Sequence, residues 1–203
     1  MKKKKGKFTT QTTIVIMILI VIVVGYYCYL VNRSNRSMDE RTPTTVEDVL
    51  LRDLENYYPS TPTQVIRYYN SIIKCFYNEE CSHEQLEELA RKARVLYDQE
   101  LLDNNEWNTY IFNLEKEIQD FKNNNRKISN ISLASSIDVD EFTQDGYRFA
   151  KVRCAYNILQ GRDSSSTIQV YLLRRDENKH WKIYGWDLAE NLAENQDDGS
   201  GED

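Results

Sequence analysis

The chain has 203 residues, room for one domain or two small ones, and its 40% hydrophobic and 11% aromatic content suffices for a packed core. The net charge is −6, but residues 1–41 hold eight Lys or Arg against Asp39 and Glu40, leaving eighteen basic and thirty acidic groups in the rest. A body that acidic repels phosphates and excludes a nucleic-acid binder of the usual basic kind, and 7 Gly with 3 Pro exclude a collagenous or Pro-rich scaffold.

Residues 1–13 form a basic tail carrying Lys2, Lys3, Lys4, Lys5 and Lys7. Residues 14–31 follow without a single charge. As a helix rising 1.5 Å per residue this run spans about 27 Å, close to the ~30 Å of a bilayer's hydrocarbon core. Tyr26, Tyr27 and Tyr29 gather at its far end, where phenol rings favour the headgroup boundary. The pattern predicts a single transmembrane helix, with the lysines placing the N-terminus in the cytoplasm and the acidic body outside the cell membrane. The rivals are a cleaved signal peptide, for which Gly25 is the one small residue near the end of the run, and a lipoprotein, for which Tyr27 before Cys28 is too large. Residues 32–44 read as a polar stalk and residues 45–188 as the extracytoplasmic domain.

Helical periodicity comes first in that domain. Val46, Val49, Leu50, Leu54 and Tyr57 predict a helix that runs until Pro59 stops it. Thr61-Pro62-Thr63-Gln64 is a capping box with Pro at the first helical position. Behind it Val65, Ile66, Tyr69, Ile72, Ile73, Phe76 and Tyr77 make one broad apolar stripe. Ser82-His83-Glu84-Gln85 opens the next helix by the same device, with Leu86, Leu89, Ala90, Ala93 and Tyr97 facing inward. After Asn104-Asn105, the residues Trp107, Tyr110, Ile111, Leu114, Ile118 and Phe121 give a fourth helix, ended by Asn123-Asn124-Asn125.

From Lys127 the period changes to that of strands. Residues 128–139 are rich in strand formers and Gln144-Asp145-Gly146 is a hairpin turn. Ala150, Val152, Cys154, Tyr156 and Ile158 alternate with polar neighbours, and Gly161 to Ser165 turns the chain into Ile168, Val170 and Leu172. A last turn at residues 176–179 leads into His180 and the sequence Trp-Lys-Ile-Tyr-Gly-Trp. Trp181 and Ile183 have one parity while Trp186 and Leu188 have the other, which predicts a bulge near Gly185. Helices before an antiparallel meander give an α+β class: helices packed on a curved antiparallel sheet of about four strands, with Ile72, Phe76, Leu89, Leu114, Val152, Val170 and Ile183 in the core. Residues 189–203, acidic and without a base, read as a disordered tail.

This layout, closing on Trp181-Lys-Ile-Tyr-Gly-Trp, resembles the nuclear-transport-factor-2-like (cystatin-like) cone fold. The Lys-rich start, Leu51-Arg-Asp-Leu-Glu-Asn-Tyr-Tyr-Pro-Ser-Thr-Pro and Tyr68-Tyr-Asn-Ser-Ile-Ile-Lys-Cys-Phe-Tyr-Asn-Glu-Glu resemble an uncharacterised family of single-pass membrane-anchored proteins of anaerobic Firmicutes, known as a domain of unknown function. The resemblance implies fold and location but supplies no catalytic residues.

Chemistry-bearing motifs are scarce. The sequence has no phosphate-binding Gly loop, nucleophile elbow or zincin motif, and no cofactor is implied. Cys81-x-His83 lacks a second ligand pair at zinc-finger spacing, so no metal set is assigned. Asp138, Asp140 and Glu141 fit a solvated turn better than a calcium loop. Cys75 and Cys81 are a candidate disulfide if the helix end between them bends back, with a buried thiol as the alternative. The fourteen tyrosines are the most unusual feature. They fill either a core or the wall of a cone pocket, for which Tyr69, Tyr77, Tyr156 and Trp181 are the candidate lining residues. Two functions fit: a membrane-anchored extracytoplasmic binding or interaction module for a small ligand or protein partner, contacting the lipid bilayer through its anchor, or a small-substrate acid–base enzyme using the cone cavity.

Overall fold

The computed structural model describes residues 46–191, which fall within one compact unit, Thr44–Asp203. The run at residues 14–31, the stalk and the acidic end after residue 191 lie outside the described residues. Among the described residues no helix is long and apolar enough to cross a membrane. Two expectations are thereby corrected: the described architecture is an α+β domain with no membrane-crossing helix among its residues, and its sheet has five strands rather than about four.

The helices are α1 (Val46–Leu50), α2 (Pro62–Asn78), α3 (His83–Val95), α4 (Gln99–Asp103) and α5 (Trp107–Asn123). Both capping boxes act as the sequence suggests. Thr61 Oγ1 accepts from the Gln64 N–H, and the Ser82 and Gln85 side chains cap each other's backbone. Helix α1 is shorter than expected because Asp53 competes for the backbone. Its carboxylate accepts from the N–H groups of Glu55 and Asn56 and folds the chain into a turn, which leaves Tyr57 exposed while Leu54 stays buried.

The strands are β1 (Arg126–Leu133), β2 (Asp140–Gln144), β3 (Tyr147–Gln160), β4 (Asp163–Arg175) and β5 (Trp181–Leu188). They are antiparallel in the order β1-β3-β4-β5, and the 14-residue β3 is long enough for β1 and β2 to share one of its edges. The strand-forming run at residues 128–139 gives only β1 before a short 3-10 turn, Ser136–Asp138, and the additional strand β2 follows beyond the run. Asp145 and Gly146, with φ of 50° and 80°, make the tight β2–β3 turn; Gly161, with φ of 63°, opens the two-residue β3–β4 turn. The expected bulge is present: Leu172 pairs with Gly185 and Leu173 with Ile183, so Tyr184 is the extra residue. Its effect is to return Trp186 to the same face of the sheet as Trp181 and Ile183.

That inner face carries Ala150, Val152, Cys154 and Tyr156 from β3, Tyr171 and Leu173 from β4, and Trp181 and Ile183 from β5, all buried. Helix α2 lies across it, touching β1, β3 and β5, with α3 and α5 packed against α2. All seven residues expected in the core are buried. The two sheet edges are covered in different ways. Along β5, the Asp98 N–H donates to the Ile183 carbonyl at 2.8 Å and the Ile183 N–H to the Leu96 carbonyl at 2.7 Å. Along β1, the Asn78 side chain takes the Ile128 N–H at 2.9 Å and donates to the Ile128 carbonyl at 2.8 Å, a one-residue imitation of a neighbouring strand.

Candidate functional site

The cavity between α2, α5 and the inner face of the sheet follows from the helix stripes. On α2, Tyr69, Ile73, Phe76 and Tyr77 recur at helical spacing; on α5, Tyr110, Asn113, Leu114, Glu117 and Phe121 do the same. The sheet closes the space with Ile128, Tyr156, Ile158, Thr167, Gln169, Tyr171 and Trp186, and the enclosed volume is about 370 Å³. One part of its wall is a cluster of rings: Tyr69 lies 5.9 Å from Tyr97, 5.8 Å from Tyr171 and 6.2 Å from the partly solvent-exposed Trp186, centroid to centroid. Near the mouth Tyr77 packs 4.7 Å from Phe121.

The hydroxyls of this wall belong to a fixed network. Tyr69 Oη and Tyr97 Oη are 3.1 Å apart. Tyr156 Oη donates to Asn70 Oδ1, Tyr156 and Tyr171 hydroxyls are 2.6 Å apart, and Tyr171 Oη contacts the Gln169 side-chain amide at 2.8 Å. Asn70, itself buried, directs Nδ2 to Cys154 Sγ at 3.2 Å. Three contacts from Asn70 to Gln169 share two hydroxyl protons. Tyr156 gives its proton to Asn70 Oδ1 and Tyr171 gives its own to Gln169 Oε1. At the rim Tyr77 Oη donates to Glu117 Oε1 at 2.6 Å, and Glu117 is exposed.

Burial is the first cause that pushes the hydroxyls of Tyr69, Tyr77, Tyr97, Tyr110, Tyr156 and Tyr171 above the ordinary phenol value; for Tyr77 the Glu117 charge adds to it. All of them stay protonated at neutral pH. Burial also pushes the Cys75 thiol up to about 12 and raises that of Cys81. Neither offers a reactive thiolate.

Of the sequence candidates, Tyr69, Tyr77 and Tyr156 come together in this cavity and Trp181 does not. Trp181 is buried at the other end of β5, paired with Arg175, and its carbonyl accepts from Tyr58 Oη at 2.9 Å. The bulge puts Trp186 in the position proposed for it. Cys75 and Cys81 are free thiols, and Cys81 Sγ points to the Cys75 carbonyl at 3.6 Å. His83 Nδ1 faces Glu115 at 2.9 Å and His180 stacks on Tyr58, while Glu141 is paired with Arg148. Among the described residues no three His, Cys, Asp or Glu side chains are grouped to hold a metal ion.

Sequence reasoning missed Glu117, Gln169 and Trp186. Glu117 was visible as the residue seven after Tyr110, two turns along the same stripe; Gln169 shares the inward parity of Tyr171, and Trp186 needed the bulge to be taken into account.

The family model described as "Domain of unknown function (DUF6715)" matches residues 1–186. The chain belongs to this family. No curated protein matches it. The cavity of this DUF6715 member lies wholly within the matched residues, and the family description assigns it no activity, so its chemistry is that of the wall itself.

Proposed function

We propose that the domain is a binding module that holds a small molecule in the aromatic cavity and works outside the cytoplasm. The observation that carries the first part is a volume of about 370 Å³, within the range of small-molecule sites, bounded by six tyrosines and Trp186. The hydroxyls of Tyr69, Tyr97, Tyr156 and Tyr171 are tied to fixed neighbours, so little side-chain freedom remains to be lost when a ligand enters.

Binding without catalysis is supported by the protonation states. The phenols are neutral, the thiols of Cys75 and Cys81 are raised by burial, and the carboxylate at the rim is solvated. An acid–base enzyme would have to run on Glu117 and Tyr77, whose single proton is already engaged by that carboxylate.

The location rests on sequence: five lysines, then the charge-free run at residues 14–31, then an acidic body. The likeness to membrane-anchored proteins of anaerobic Firmicutes belongs to the same reading. So does the nuclear-transport-factor-2-like cone, in which a curved antiparallel sheet wraps helices and leaves a pocket between them.

A ligand-observed NMR screen of small aromatic and aliphatic fragments against the full chain tests the binding reading. Binders should lose their signal response when Thr167→Trp fills the cavity. Fragments that bind the filled variant equally well would refute it. For location, protease added to intact cells should degrade residues 46–191, and full protection would refute an extracytoplasmic domain.

A further inference from the structure

We propose that the molecule taken into this cavity is an organic cation: an amine whose ammonium is met by Glu117 and Tyr77 at the rim and whose hydrocarbon part lies against Tyr69, Tyr171 and Trp186. The proposal rests on the reading of the cavity as a binding site and names the class of its ligand.

The first argument is charge. Among the described residues that line the cavity, Glu117 is the one acidic side chain, and no Lys, Arg or His is among them. Arg94 does not line the space. It lies 5.4 Å from the Tyr110 centroid, with Nη1 held by the Asn105 carbonyl at 2.6 Å. A carboxylate-bearing or phosphorylated ligand would enter past Glu117 with nothing to compensate its charge. An ammonium would find a carboxylate there, and the acidic body raises the local concentration of cations around the mouth.

The second argument is proton count. Tyr77 spends its only hydroxyl proton on Glu117, and Tyr156 spends its own on Asn70. The Tyr171 proton is consumed within the chain from Asn70 to Gln169. These three hydroxyls therefore offer a ligand only lone pairs. Lone-pair acceptors of this kind suit a guest that donates, and an ammonium carries three donors and no acceptor. The third argument is the ring cluster of Tyr69, Tyr171 and Trp186, whose π-electrons favour a neighbouring cation over a neutral group of the same shape.

Three probes of nearly one shape separate these ideas: benzylammonium, benzyl alcohol and benzoate, titrated by calorimetry into the full chain. Benzylammonium should bind at least about tenfold tighter than benzyl alcohol, with benzoate weakest, as a charge-assisted hydrogen bond to Glu117 requires. Glu117→Gln, at an exposed position where the fold is not at stake, should bring the amine to within about twofold of the alcohol. Equal binding of amine and alcohol by the unaltered chain would overturn the cation assignment while leaving the cavity as a binding site. So would an amine preference that survives Glu117→Gln, which would trace it to the acidic surface at large. Binding of none of the three would overturn the assignment together with the cavity reading beneath it.

Discussion

Replacing Asp98 with Ala should destabilise the domain by about 3–4 kcal/mol, more than any other single change at a charged residue described above. Asp98 is 4% exposed and performs three tasks at once. Its carboxylate accepts from Arg174 Nε at 3.0 Å and from Arg174 Nη2, and it caps α4 by accepting the Glu100 N–H at 3.0 Å. Breaking a buried ion pair from one side costs about 3–5 kcal/mol because the other charge is left without compensation, and a lost N-cap adds about 1 kcal/mol. Arg174 also keeps its second contact, Nη1 to Glu100 Oε1 at 2.7 Å, so the guanidinium is not fully abandoned, which brings the total below the simple sum, to about 3–4 kcal/mol. Asp98→Asn retains the cap and one of the two contacts, and should cost about half as much. Urea unfolding of the full chain, with unchanged slope, measures both. The double variant Asp98→Leu/Arg174→Met should recover much of the loss, since removing both charges leaves neither one stranded. A loss below about 1 kcal/mol for Asp98→Ala would show that the pair behaves as a solvated surface contact, contrary to its burial.

Three further outcomes are expected. Phe76→Ala, at a side chain 2% exposed, should cost about 3–5 kcal/mol in the same titration, and a value near zero would mean that the α2 face is not core. Tyr156→Phe should cost about 1–3 kcal/mol by leaving Asn70 Oδ1 buried without its donor; a neutral result would show that water replaces the hydroxyl. At alkaline pH the sign follows from the buried phenols. Burial holds Tyr68 up to about 12 and Tyr69, Tyr97 and Tyr171 well above the usual phenol value, whereas in the unfolded chain they ionise near 10. Above about pH 10 the folded form keeps protons that the unfolded form has released. The stability these groups supply is therefore complete below that pH and is lost as pH rises through their folded values. Phenolate absorbance should lag and then climb together with the loss of far-ultraviolet circular dichroism, and smooth ionisation of all fourteen tyrosines without unfolding would refute the assignment.

The parts of the fold that were legible in the sequence are those with strong local chemistry. The boxes at Thr61 and Ser82 mark helix starts because side chain and backbone satisfy each other there, and Asp145-Gly146 marks a hairpin because its turn needs two positive φ values. Helix α4 was missed because five residues hold too few apolar positions to show a period, and its existence depends on the Asp98 cap and on β5 beyond it. β2 was missed for the same reason, since Phe142 is the single apolar side chain in Asp-Glu-Phe-Thr-Gln. α1 was overextended because periodicity continues through Leu54 and Tyr57 while the Asp53 carboxylate takes the backbone away. Within the cavity the tyrosines were legible as types, but their assembly was not. Which tryptophan faces it depends on one inserted residue, and Glu117 meets Tyr77 only once α5 is laid beside α2.

The treatment of the two sheet borders bears on how the molecule behaves among copies of itself. A sheet whose outer strands expose unbroken rows of N–H and C=O groups is a template on which further chains can stack. Here Leu96 to Asp98 occupies one border and the Asn78 amide interrupts the other at Ile128, while the short β2 presents Asp140 and Glu141. An incoming segment would meet an occupied position at Ile183 on one border and at Ile128 on the other, and like charge along β2. Crowding many copies together therefore gives their backbones little to grip, and the domain is suited to being dense and dispersed at once.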